Sequence, residues 1–194
     1  MKRAALTAGL SLLLVAGIAP PSRANDLYVD AVRDYVQDSI LAWSSDRRIV
    51  EAVKAANAFH KYLTAEDIDA MDARWRTELA SQERPLIRTV LDNSLSAFLH
   101  ARQREADGLI TEIIVMDAKG LSVAESEASS DYWQGDELKW QKTYLAGTRD
   151  IFIDRAEKDE STQMLQAQAS MTLFDPDTDQ PIGAITIGIN LDGL

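Results

Sequence analysis

Two tryptophans and two tyrosines stand among acids, lysines and glycines in residues 130–147, SDYWQGDELKWQKTYLAG. Rings beside charges either close the edge of a small core or wall a ligand pocket, since small-molecule sites are mostly apolar and aromatic with a few convergent polar anchors. The groups that would supply anchors lie downstream, in residues 163–174 (QMLQAQASMTLF) and 181–190 (PIGAITIGIN). Both read as strands, whose successive side chains point to opposite faces of a sheet. One face carries Leu165, Ala167, Ala169, Met171 and Leu173, with Ile185, Ile187 and Ile189. The other carries Gln166, Gln168, Ser170 and Thr172, with Ala184, Thr186 and Gly188. A face turned to water usually bears long charged side chains, and this one is short, amide-bearing and hydroxylated. It suits the floor of a pocket as well as it suits an open sheet.

Other chemistry finds little support. His60 and His100 are the only histidines and cysteine is absent, which removes thiol chemistry, disulfides and histidine-rich metal sites. No H-E-x-x-H, G-x-S-x-G, P-loop or dinucleotide fingerprint occurs, so neither an enzyme nor a cofactor-binding protein is the expected reading. The run Asp175-Pro-Asp177-Thr-Asp179 begins like a calcium loop. It then places Gln180 where that loop needs glycine and Thr186 where it needs glutamate, so a polar hairpin turn is the stronger expectation. With 20 Lys plus Arg against 31 Asp plus Glu, the chain has a formal charge of -11 and disfavours nucleic acid and anionic membrane surfaces as partners.

The elements that must position these groups follow from periodicity and capping. The start of the chain, MKRAALTAGLSLLLVAGIAPPSRAND, reads as a secretory signal peptide cleaved after Ala24, leaving one domain over 25–194 in the periplasm. An uncleaved anchor is the alternative. Tyr28, Val32, Tyr35, Val36, Ile40 and Trp43 form one apolar stripe, predicting a helix over 26–42. That stripe either covers the protein's own sheet or pairs two copies in a homodimer. A second helix starts after Ser44-Ser45-Asp46, a third at the capping box of Thr64 and Asp67, and a fourth after Asp92 or Asn93, ending near Gly108. Strands are predicted over 109–116, 121–126, 149–156, 163–174 and 181–190, with a short crossover helix over 135–144. Helices first and strands after describe an α+β domain with an antiparallel sheet.

The order of several short motifs resembles the Cache or PDC domains, PAS-like extracytoplasmic sensor modules of kinases and chemoreceptors. Met116-Asp117 with Gly120 is similar to that family's hairpin D-x-x-G. Gly135 matches its glycine before the crossover helix, Leu145-Ala146-Gly147 the end of that helix, and Ile182-Gly183 with Ile187-Gly188-Ile189 the closing strand. The resemblance implies long N-terminal helices on a five-stranded antiparallel sheet, with a pocket closed by the segment between the second and third strands. Tyr132, Trp133 and Tyr144 would then lie over Gln166, Gln168 and Ser170, and Lys142 and Arg149 would be the cations able to hold a carboxylate. It implies a sensor for a small polar metabolite such as an organic acid, amino acid or amine, engaged in signal transduction or chemotaxis. Because the sequence ends at Leu194 without an apolar span, signalling through a membrane receptor or sensor kinase is expected. A ligandless docking module on the same scaffold is the alternative.

Overall fold

The computed structural model describes residues 23–158 and 164–194, with side chains from Tyr28 onward; residues 1–22 of the expected leader lie outside the described residues, and the expected cleavage point after Ala24 falls in the first turn of the first helix. The first helix, α1 (Arg23–Tyr35), runs through a π-helical turn (Val36–Ile40) into α2 (Leu41–Ser44), and its apolar stripe is spent on the protein's own sheet. Val32, Val36 and Ile40 are fully buried, with Tyr28, Tyr35 and Trp43 packed beside them. Asp46 then caps α3 (Arg47–Phe59), accepting from the amide of Arg48. Thr64 and Asp67 form the expected reciprocal capping box on α4 (Ala65–Leu79).

Helix α5 (Pro85–Leu91) departs from expectation. Its start has no local side-chain cap. The buried carboxylate of Glu78, on α4, accepts from the amides of Leu86 and Ile87 at 2.7 and 3.0 Å instead. That satisfies amides which the helix itself leaves open, with a group distant in sequence. Asn93 caps α6 (Ser94–Glu105) by accepting from Ser96.

The sheet is antiparallel throughout. Its strands are β1 (Ile110–Met116), β2 (Ser122–Glu125), β3 (Phe152–Ile153), β4 (Glu157–Lys158), β5 (Leu165–Phe174) and β6 (Pro181–Asn190), in the order β2-β1-β6-β5-β3. Both β3 and β4 pair with β5, so the single third strand expected over 149–156 is two short pieces on one edge. The architecture is therefore the expected α+β one, with helices packed on an antiparallel sheet and its third strand broken.

Strand parity holds. Ala167, Ala169, Met171, Leu173, Ile185, Ile187 and Ile189 face α1, α3 and α6 in one continuous core. A second cluster gathers Trp75, Leu86, Ile87, Val90, Leu121 and Tyr132 between α4, α5 and the hairpin. The expected crossover helix is reduced to one turn, α7 (Leu138–Gln141), flanked by irregular backbone. Its approach is fixed by contact: a Cβ on Gly120, at φ +79°, would lie 2.6 Å from the Gly135 Cα, so two backbones cross where only glycine fits. The Gln134 amide donates to the Gly120 carbonyl at 2.7 Å, tying the crossover to the β1–β2 turn.

Candidate functional site

The register of β1, β6 and β5 builds the polar face in rows. Ile114, Thr186 and Ser170 stand side by side, as do Glu112, Gly188 and Gln168. In the first row the buried hydroxyls of Ser170 and Thr186 satisfy each other at 2.9 Å. In the second, the Gln168 Nε2 reaches across Gly188 to donate to the Glu112 Oε1 at 2.7 Å. Gly188 is what permits this span, since a Cβ there would sit 2.7 Å from the Glu112 Cγ. Beside it the Thr111 hydroxyl donates to the Gln166 Oε1 at 2.8 Å. Glu112 is not among the expected site residues, because only the strands over 163–174 and 181–190 are read for a polar face. Its even-numbered parity with Ile114 and Met116 was the available signal.

Trp140 and Tyr144 cover part of this face. They pack on Ile114, Met116 and Ala184 with their rings 5.3 Å apart, and the Trp140 Nε1 donates to the Asp117 carbonyl at 3.1 Å. The part they leave open is a cleft of about 370 Å³ with Gln166 and Gln168 in its lining. One wall is Asp136, Glu137 and Leu138 of the crossover, and the other is Asp154, Arg155 and Glu157 of the broken edge. Apart from Leu138, which opens α7, and Glu157, in the two-residue β4, these wall residues sit on irregular backbone, where no periodicity marks them.

The expected site residues distribute unevenly around this cleft. Gln166 and Gln168 line it, Ser170 lies buried one row further along the face, and Tyr144 packs on the same face. Tyr132 is 3% exposed and stacks on Trp75 in the second core, at 5.6 Å between rings. Burial, with the charges of Asp117 and Glu125 nearby, raises its phenol above the ordinary value. The Trp133 Nε1 donates to the Lys119 carbonyl at 2.9 Å. The amides of Tyr132 and Trp133 both donate to the Asp72 Oδ1, at 3.0 and 3.1 Å, and Arg76 ties Asp72 to Asp131. This aromatic pair thus anchors the crossover to α4. Lys142 is exposed beyond α7. Arg149 lies over the Phe174 ring at 3.9 Å, bonds Asp179, and borders a more apolar groove with Leu41, Val50 and Met171.

Two motif residues have structural partners. Asp117, fully buried, accepts from the Lys119 and Leu121 amides through Oδ1, while its Oδ2 lies 2.7 Å from the Nδ1 of buried His60. Asp175 is tied to Lys54 at 2.7 Å and accepts from the Asp177 amide at 3.0 Å, so the D-x-D-x-D run forms a turn stapled to α3. Among the described residues no group of three or more acids and histidines could hold a metal ion.

No family model and no curated protein matches the sequence. Among solved structures the chain is similar to the sensor domain of the V. cholerae histidine kinase DctB, at 13% identity and a TM-score of 0.49, covering 87% of this chain and 52% of that one. It is also similar to the sensory domain of the Campylobacter jejuni chemoreceptor Tlp3 with isoleucine bound, at 14% identity and a TM-score of 0.38, covering 90% and 64%. Both are Cache/PDC-type extracytoplasmic domains. The chain spans between about half and two thirds of the length of these two structures. Among the described residues no helix is long and apolar enough to cross a membrane.

Proposed function

We propose that the protein is an extracytoplasmic ligand-binding sensor of Cache type, which holds a small polar metabolite in the cleft over its polar sheet face. The observation that carries this reading is the cleft itself, about 370 Å³, with oriented amides in its lining and crossover and edge segments as walls. In this reading the leader directs the domain to the periplasm, and a membrane receptor or sensor kinase receives the signal. The crossover is the element placed to report occupancy, because it lines the cleft through Asp136 to Leu138 and touches the helices through Asp72. A thermal-shift screen against organic acids, amino acids and amines tests the reading. A ligand at a hundredfold excess over its Kd adds about 2.7 kcal/mol, hence a rise of roughly 5–10 °C in a domain of this size. A rise abolished in Gln168→Ala supports the cleft, and a flat response to every class speaks against it.

A second reading, a ligandless docking module, is favoured by one observation. Tyr132 is buried and packs with Trp75, Leu86 and Ile87, so its ring is spent on the second core. Under that reading no small molecule changes the melting temperature, and pull-down partners are lost on altering exposed side chains instead.

A further inference from the structure

We infer that the cleft takes a cationic amine, an alkylammonium compound, in preference to a carboxylate; the inference rests on the cleft being the binding site. Among the described residues its walls carry the carboxylates of Asp136, Glu137, Asp154 and Glu157 against one cation, Arg155. That cation is already engaged, its Nε donating to the Glu157 Oε1 at 2.8 Å. Lys139, on α7, is held by Glu137 at 3.1 Å.

The Gln168 amide points to the same chemistry independently of the walls. Glu112 can only accept, so the amide of Gln168 is oriented with its NH₂ end toward that carboxylate. The end that Gln168 keeps for a ligand is therefore its carbonyl oxygen. An ammonium group brings several donors and a positive charge to acceptors of this kind, whereas a carboxylate brings only further acceptors. The cations suited to a carboxylate are elsewhere: Lys142 is exposed past α7, and Arg149 is engaged with Asp179 and Phe174.

The test uses the purified protein in thermal-shift and calorimetric titrations with butylamine and 1,4-diaminobutane, matched against butyrate and succinate. The expected result is a melting-temperature rise with the amines alone. Affinity should fall at least tenfold in Asp154→Asn and in Asp136→Asn, decline with added salt, and stay unchanged in Asp34→Asn, an exposed acid on α1. Binding of butyrate or succinate that is lost in Gln168→Ala, with no response to amines, overturns the amine assignment and leaves the cleft as the site. Amine binding that Asp34→Asn weakens as much as Asp154→Asn is screening of an acidic surface and overturns the assignment too. No response to any of the four probes overturns the amine assignment, and the flat metabolite screen is the separate result that removes the cleft.

Discussion

Glu125, on β2, is a fully buried acid. Burial pushes its carboxyl up to about 7, even though it accepts from the Ser129 amide and hydroxyl at 2.8 and 2.9 Å. Between the unfolded value near 4.5 and about 7, the folded protein keeps a proton that the unfolded chain has released. Its contribution is therefore fully present below pH 4.5 and lost as pH rises through 7, amounting to about 3 kcal/mol at roughly 1.4 kcal/mol per pH unit. Urea unfolding at pH 5 and pH 8 should show the wild type losing stability over that interval, with Glu125→Gln flatter and the more stable of the two at pH 8. A second prediction concerns Asp117. Asp117→Ala leaves the Lys119 and Leu121 amides and the His60 ring without their buried acceptor, and should cost about 2–5 kcal/mol in the same assay.

At the scale of elements, the hairpin and crossover are held together by close backbone contact, which glycine substitutions probe. Gly108 and Gly120 both have positive φ, +85° and +79°, but only Gly120 lacks space for a Cβ. Gly108→Ala should cost about 1 kcal/mol from strain alone. Gly120→Ala adds a 2.6 Å clash with Gly135 and should cost about 1–3 kcal/mol more while loosening the crossover, read as faster hydrogen exchange at Gln134. Gly188→Ala should displace Glu112 and weaken ligand binding with a modest loss of stability. The sequence made the capped helices α3, α4 and α6 legible because their signals are local, as is the alternation that separates Gln166 and Gln168 from the core. Helix α5 was not legible because Glu78 caps it from a distance, and the split of the third strand has no periodic signature. The acidic walls were missed for the same reason: Asp136, Asp154 and Glu157 acquire a common direction only when crossover and edge meet over β5. Tyr132 and Trp133, expected over the pocket, have their side chains and amides engaged by α4 and the hairpin.

At the scale of the molecule, one sheet separates two tasks. Its apolar face is closed by α1, α3 and α6 into a core, and its polar face is left partly open under the crossover. Under the proposed function, a signal from the cleft would have a short physical route outward, through the crossover backbone to Asp72 on α4 and through Trp140 to Asp117 and His60 at the end of α3. A crystal structure of the protein isolated from its native source tests the central claim most directly. A small molecule hydrogen-bonded over Gln166 and Gln168, between Asp136 and Asp154, is the predicted result. A molecule seated elsewhere, or a cleft closed by its own walls, would contradict it.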